Sequence, residues 1–563
     1  MEEDIAMDMD VFCNPINIPY RYQIHKRQDG TVYACREAAD PSLILYHGKY
    51  YMFISMSCGA LVSDDLVDWK MFPLPEELPN YDYAPDVRVV DDWVYLIASR
   101  EGAPAAQYRT RDPLHGPYER IGDSVRGMDP NRFQDQDGRV YFYCGCSDET
   151  PLYGVELDRN TMVPLTERKP LFMTDTKRRG YERSDLLDKR KPFLEGAWMT
   201  EHGGKYYLQY AVPGTQFETY ADGVAESRSP LGPFVPARNN PFSYAPGSFC
   251  PGAGHGSTLE DKEGQWWHVA TMRISVRHMF ERRIGLFPSG FDQDGELYCN
   301  QRFPDWPQHM SKLRKNPFSD PEWMILSVGA ACFASSEKVG HEARNAAVED
   351  IRTDWQAVTA TDKEYLCMDL GEVCLVHAVQ INFSEGNPDV SHLQSRVTRD
   401  RWIDTDVKFT RWLLEGSTDG LNYSTIADKR QAETDLPHDL IVIGKGLSCR
   451  YLRLTHIELP YGQNPCVSAL RVFGKGTCRK PKEAKFEASR ISSLNMEIRI
   501  QSAKDAVGWV IQFGHEEEKL YHSFMTYEPG NHVIGALVEG EDCYVRVDAF
   551  NRKGITYGSV IKL

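Results

Sequence analysis

Along the first three hundred residues, apolar positions come in short runs rich in aromatic and β-branched residues, each opened by a polar pair. The runs are His47-Gly48-Lys49-Tyr50-Tyr51-Met52-Phe53, Asp91-Asp92-Trp93-Val94-Tyr95-Leu96, Asp137-Gly138-Arg139-Val140-Tyr141-Phe142-Tyr143, Gly203-Gly204-Lys205-Tyr206-Tyr207-Leu208 and Gly264-Gln265-Trp266-Trp267-His268-Val269. Such runs predict strands, and the polar pairs predict hairpin turns. One strand's length ahead of each run stands a turn with a chemically useful residue: Asp40-Pro41-Ser42, Ala84-Pro85-Asp86-Val87, Asp129-Pro130, Leu194-Glu195-Gly196 and Gly254-His255-Gly256-Ser257. The unit recurs at intervals of roughly 45 to 65 residues. Outer echoes strengthen the repeat, as Arg111-Asp112-Pro113-Leu114-His115-Gly116-Pro117-Tyr118 is matched by Arg228-Ser229-Pro230-Leu231-Gly232-Pro233-Phe234.

One small sheet cannot bury both faces, so a strand-rich repeat of this length predicts blades closing a ring, here a five-bladed β-propeller. The innermost strands of a propeller start near its axis. Asp40, Asp86, Asp129, Glu195 and His255 are therefore expected to converge there. Asp-Pro and Asp-Gly pairs also punctuate ordinary turns, and five in register argue against that reading. Residues 1–35 are expected to close the ring by lending a strand to the last blade. Residues 175–191, with Lys177, Arg178, Arg179, Arg183, Lys189 and Arg190, are too polar for a core strand and read as a surface loop or a pocket wall.

Composition narrows the function classes. A chain of 563 residues with 41% hydrophobic and 11% aromatic residues is long enough for several domains with full cores. Its net charge of −17 would repel phosphate backbones, which argues against nucleic acid as a partner. The start, Met1-Glu2-Glu3-Asp4-Ile5-Ala6-Met7-Asp8, lacks the basic and apolar stretches of a signal peptide, and no apolar run is long enough to span a membrane. The fourteen cysteines are scattered without CxxC pairs. These features predict a cytoplasmic protein in a reducing compartment, with no membrane partner.

The ordered set Ala39-Asp40-Pro41-Ser42, Ser63-Asp64-Asp65-Leu66 with Trp69, Ala84-Pro85-Asp86-Val87, Met128-Asp129-Pro130 with Asp135-Gln136-Asp137-Gly138, Leu194-Glu195-Gly196 and Gly254-His255-Gly256-Ser257 resembles glycoside hydrolase family 43, the five-bladed arabinofuranosidases and xylosidases. The resemblance covers about residues 30–310. It implies that Asp40 is the general base, Asp129 the aspartate that orients the acid and tunes its pKa, and Glu195 the general acid. It further implies that Arg283, in Arg283-Ile284-Gly285-Leu286, contacts substrate, and that His255 is an axial histidine near a bound ion, often calcium. Glu37-Ala38-Ala39 departs from the family pattern, which usually has an aromatic before Asp-Pro.

The chemistry needs these residue types on its own account. Inverting cleavage of a glycosidic bond takes one protonated carboxylic acid for the leaving oxygen and one carboxylate to deprotonate water on the other face of the sugar. A third carboxylate beside the acid raises its pKa by like-charge repulsion. Asp86 either binds substrate or only holds its turn, while Tyr83 and Trp198 either stack on sugar or pack between blades. The expected activity is an inverting exo-glycosidase releasing arabinofuranosyl or xylosyl units from short oligosaccharides. The alternatives are a galactofuranosidase and a non-catalytic carbohydrate-binding propeller. No cofactor is required for the chemistry, and a structural calcium ion on the axis is the one ion expected.

Beyond residue 320 the pattern changes. Ala334-Ser335-Ser336, Asn345-Ala346-Ala347-Val348, Thr353-Asp354-Trp355, Asp369-Leu370-Gly371, Glu415-Gly416-Ser417-Thr418-Asp419-Gly420, Arg450-Tyr451-Leu452-Arg453-Leu454 and Arg471-Val472-Phe473-Gly474 resemble a discoidin-like (coagulation factor 5/8 type C) domain. The last strands, ending in Tyr544-Val545-Arg546-Val547-Asp548-Ala549-Phe550-Asn551, are similar to a fibronectin type III module. The expected architecture is all-β: a propeller over residues 1–320 and two β-sandwiches over 321–476 and 477–563. A stiff link bearing Trp306 and Trp323 predicts that the second domain is docked. Every group with a chemical role is expected before residue 310.

Overall fold

The computed structural model describes residues 10–75, 77–78, 83–98 and 105–563. The start read above for a leader, Met1 to Asp8, lies outside them. The regular secondary structure of the described residues is almost all strand, and among them no helix is long and apolar enough to cross a membrane.

Five antiparallel sheets follow one another in the first half. Their innermost strands are Ser42–Tyr46, Asp86–Val90, Asn131–Gln134, Glu195–His202 and Gly254–Glu260. The predicted hairpins join each to its neighbour, as Ser42–Tyr46 pairs with Lys49–Phe53 and Gly254–Glu260 with Trp266–Arg273. Each inner strand touches the inner strands on both sides, and the fifth meets the first, so the propeller closes on its own strands. Apolar side chains fill the gaps between blades: Ile44, Phe53 and Val62 of the first meet Val87, Val94 and Leu96 of the second. Burial of such side chains contributes about 1.5–3 kcal/mol each.

The described part of the N-terminal segment does not lend a strand to the last blade. Val11–Phe12 pairs with Gln308–His309, and the hairpin Tyr22–Lys26/Val32–Arg36 pairs with Arg401–Ile403, far along the chain. Residues 14–16 only run alongside the fifth blade, through Asn14 on Leu286 and Ile16 on Ile284.

Two devices repeat around the ring and fix the inner turns. One residue per blade sits in the left-handed region at the strand start: Asp40 (φ 50°), Ala84 (φ 52°), Asp129 (φ 52°), Gly196 (φ 62°) and His255 (φ 48°). Non-glycine residues adopt this conformation at a cost, and such residues cluster at functional sites. The second device is a belt of hydrogen bonds from blade to blade. Ser42 Oγ accepts from Val87 N (2.9 Å), Asp86 Oδ2 from Arg132 N (2.8 Å), and Asn131 Oδ1 from Met199 N (2.9 Å). Trp198 Nε1 then donates to Thr258 O (3.2 Å), and Ser257 Oγ accepts from Leu43 N (3.1 Å), returning to the first blade.

Two β-sandwich domains follow. In the first, the long strands Leu366–Phe383 and His438–Glu458 bend at bulges in one eight-stranded sheet around a core that includes Trp355 and Trp412. In the second, a three-stranded sheet, Phe486–Arg490, Met496–Ile500 and Gly530–Ile534, shares a core with a five-stranded sheet led by Gly508–Gly514 and Tyr544–Asn551. Both are docked on the propeller. Trp306 and Trp323 are buried, and Arg471, fully buried, pairs with Asp305 and Glu349 across one junction. Residues 175–191 do not form a simple surface loop. Gly180 N donates to Leu537 O, and Tyr181 and Glu182 are buried where the loop meets the third domain.

Candidate active site

The strand starts bring Asp40, Asp129, Glu195 and His255 together. His255 lies between two acids, its Nδ1 3.3 Å from Asp40 Oδ1 and 3.7 Å from Asp129 Oδ2. The backbone N–H of Gly196, next to Glu195, donates to Asp129 Oδ2 (3.2 Å). One oxygen each of Asp129 and Glu195 and the sulfur of Cys146 lie within 4.8 Å of one another. Glu195 accepts from Tyr220 Oη at Oε1 (2.8 Å) and from the Cys146 thiol at Oε2 (3.2 Å). Burial pushes the Tyr220 phenol well up, so it stays a proton donor.

The environments drive the acids apart. Burial would raise the pKa of Asp40, yet Arg282 first and His255 next, with the Ser55 hydroxyl, outweigh it and hold this carboxyl below the usual range. Ser55 Oγ donates to Asp40 Oδ2 (2.6 Å) and Arg282 Nη1 to Oδ1 (3.2 Å). Burial pushes Asp129 up to about 7, with Glu195 and Asp40 adding to the rise and His255 opposing it. Burial would lower His255, but Asp40, Asp129 and Glu195 outweigh it and favour the imidazolium. One acid is thus held ionised while its neighbour keeps a proton, the division that acid–base chemistry on two carboxyl groups needs.

Three expected residues lie elsewhere. Asp86 is buried, with Oδ1 taken by Asn131 Nδ2 (3.0 Å) and Oδ2 by the Arg132 amide. It sits two residues after the left-handed Ala84, so it is equivalent to Ser42 and Asn131 of the belt; the residue equivalent to Asp40 and Asp129 is Ala84 itself. Trp198 also belongs to the belt, covered by Arg88 at 3.3 Å from the ring centre. Arg283 points away from the pocket: Nε contacts His438 Nε2 (2.7 Å), and Nη1 donates to the carbonyls of Arg36 and Arg282. Successive strand residues face opposite sides, and the guanidinium that reaches Asp40 is that of Arg282.

Tyr83 is half-buried beside the pocket, its ring 5.3 Å from Phe280 and 5.4 Å from the Arg282 guanidinium. Glu37, at the departure from the family pattern, is buried and accepts from Arg282 Nη2 at Oε1 (2.6 Å). Sequence reasoning did not assign Arg282, Ser55, Tyr220 or Cys146 to the site. Only Glu37 carried a signal, its unexpected place just ahead of Asp-Pro.

A calcium ion held directly by protein groups does not fit at His255. Calcium prefers oxygen ligands, whereas the ring offers nitrogen, and its Nδ1 is turned to Asp40 and Asp129, which favour its protonated form. Asp222, the acid nearest the turn, accepts from the amides of His255 (2.7 Å) and Gly256 (2.9 Å). Among the described residues the His, Cys, Asp and Glu atoms close enough to share an ion are those of Asp129, Cys146 and Glu195, and a thiol is a poor partner for calcium.

Residues 34–297, which span the five blades, match the model for glycosyl hydrolases family 43. A beta-xylosidase from Xylanibacter ruminicola is 30% identical over 250 residues, covering 35% of this chain and 77% of the relative. A non-reducing end alpha-L-arabinofuranosidase from Bacteroides ovatus is 26% identical over 312 residues, 48% of this chain, and the chain spans 55% of that enzyme's length. A solved structure described as a glycoside hydrolase aligns with 77% of this chain and 97% of its own at 17% identity and a TM-score of 0.46. On the family match across the five blades and the Xylanibacter relative covered over most of its length, the chain belongs to glycosyl hydrolases family 43.

Proposed function

We propose that the propeller is an inverting exo-glycosidase that releases terminal arabinofuranosyl or xylosyl units from short oligosaccharides. Asp40 is the base that deprotonates water, Glu195 the acid that protonates the leaving oxygen, and Asp129 the neighbour that orients the acid and tunes its pKa. The observation that carries this reading is the convergence of Asp40, held by Arg282 and Ser55, with Asp129 and Glu195, whose oxygens lie within 4.8 Å of one another, at the starts of three inner strands. The names of the Xylanibacter and Bacteroides relatives support the choice of sugars.

The test is a panel of nitrophenyl arabinofuranosides, xylosides and galactofuranosides with wild type, Glu195→Gln and Asp40→Asn. Glu195→Gln should lose about a hundredfold or more on poor leaving groups and less on good ones. Asp40→Asn should lose turnover on both. A well-folded protein that binds sugars and turns over none would instead be a binding propeller, and near wild-type turnover in Asp40→Asn would remove Asp40 from the base role.

The two sandwiches, read as discoidin-like and fibronectin type III-like, carry the docking contacts described above. An axial calcium ion, the remaining expectation for His255, would be structural and held through water, and chelation would then lower the melting temperature without moving the pH–rate profile. Fourteen free cysteines fit a cytoplasmic location.

A further inference from the structure

We propose that Arg401, carried by the second domain, is a positioning residue for Asp40, so that the active site is completed from outside the propeller. This rests on the reading of Asp40 as the base. The strand Arg401–Ile403 adds to the hairpin Tyr22–Lys26/Val32–Arg36, with Arg401 opposite His25. The end of that hairpin is tied to the second domain as well, since Arg36 donates to Glu385 Oε1 (2.8 Å) and to Asp435 Oδ1 (3.0 Å). Glu37 follows Arg36 directly and is thereby held between the two domains.

Two routes run from Arg401 to Asp40, one to each carboxylate oxygen. In the first, Arg401 Nη1 lies 3.6 Å from Glu37 Oε2, Glu37 Oε1 takes Arg282 Nη2, and Arg282 Nη1 reaches Asp40 Oδ1. In the second, Arg401 donates to the Tyr83 hydroxyl, with its guanidinium 4.2 Å from the ring centre. The next residue, Ala84, donates its amide to Ser55 Oγ (2.8 Å), and Ser55 holds Asp40 Oδ2. The charged chain alternates as Arg401, Glu37, Arg282 and Asp40, all buried or nearly so. Removing the outer cation leaves a buried carboxylate with one partner where it had two, which is costly in a low-dielectric setting.

Glu37 is faced by Arg282 of the fifth blade, Arg401 of the second domain, Asp40, and Cys35 of its own hairpin. Burial raises its pKa while Arg282 and Arg401 lower it. Without Arg401 the carboxyl takes up a proton at higher pH, and the protonated form grips Arg282 less firmly. The Arg282 Nη1 bond to Asp40 then loosens on the acidic side of the rate profile.

The experiment uses the full chain with Arg401→Ala, Arg401→Lys, Glu37→Gln, the Arg401→Ala/Glu37→Gln pair and Asp40→Asn, measuring kcat, KM, their pH dependence and melting temperature on the best aryl glycoside. Arg401→Ala should keep its fold, because the strand pairs through backbone. It should lose kcat by about tenfold or more with KM changed less, and its acidic limb should move up by roughly one pH unit. Arg401→Lys should recover part of the limb, and the paired variant should be no worse than the poorer single one, since both act along one chain. A wild-type profile in Arg401→Ala, a rise in KM alone, or additive losses in the paired variant would overturn the proposal. If Asp40→Asn stays active, the base assignment fails instead; if Asp40→Asn is inactive and Arg401→Ala is unaffected, only this inference fails.

Discussion

Asp86 separates a residue that builds the ring from one that works in it. In Asp86→Ala the Arg132 amide keeps its buried position but loses its acceptor, which costs about 1–3 kcal/mol. Arg88, whose Nε lies 3.8 Å from Asp86, loses its neighbouring charge, and leaving a largely buried cation unpaired costs roughly as much again. The expected loss is about 4 kcal/mol in the propeller, a fall in melting temperature on the order of 10 °C for a domain of this size. Asp86→Asn keeps one acceptor oxygen for the amide and should lose about half as much. Calorimetry on both variants, with kcat/KM measured well below the transition, gives the two readouts side by side. The belt assignment predicts a graded loss of stability and nearly unchanged kcat/KM. A large loss of kcat/KM with the melting temperature unmoved would place Asp86 in the pocket and refute the register argued from Ala84.

With Asp40 ionised from below the usual carboxylate range and Asp129 raised by burial to about 7, the rate should fall as pH rises through about 7, because the proton held at Asp129 is then lost; a rate flat to pH 9 would contradict it. Because the folded-state pKa of Asp129 is raised, its contribution to stability is complete below about 4 and is lost as pH rises through about 7. Asp129→Asn should remove that dependence, which denaturation followed against pH would show. Gly196→Ala should be more harmful to activity than to folding, since a Cβ there would lie 2.8 Å from His255 Cγ and the backbone is left-handed (φ 62°). Moving the imidazole by a fraction of an ångström should cost up to about a hundredfold in kcat, and wild-type kcat in Gly196→Ala would show that the ring is not fixed by this contact.

The parts legible in the sequence were those set by local physics. A Gly-containing turn followed by an aromatic run specifies a hairpin wherever it stands, so Lys49–Phe53 and Trp266–Arg273 fell where the pattern put them. Asp40, Asp129 and His255 could be grouped because a repeat carries each to the same place near the axis, and Glu195 with them because it stands one residue ahead of that place, at Gly196. Asp86 was misplaced because the left-handed residue that sets the register is Ala84, an amino acid with no turn signature. Arg283 was preferred to Arg282 because adjacent arginines on a strand look alike, although pleating sends them to opposite sides. Arg401 had no local signal. Its place depends on a strand pairing between residues nearly four hundred positions apart, which no periodicity encodes.

Asp40 and Glu195 are assigned to opposite sides of the bond, with a water between Asp40 and the sugar. Proton NMR of the first-formed sugar, taken before mutarotation, checks this assignment. Carboxyl groups spaced for an intervening water, roughly 6.5–9.5 Å apart, give the inverted anomer, and that is the predicted product. A retained anomer would mean a covalent intermediate and a pair only about 5 Å apart, and would contradict the assignment of Asp40 as base.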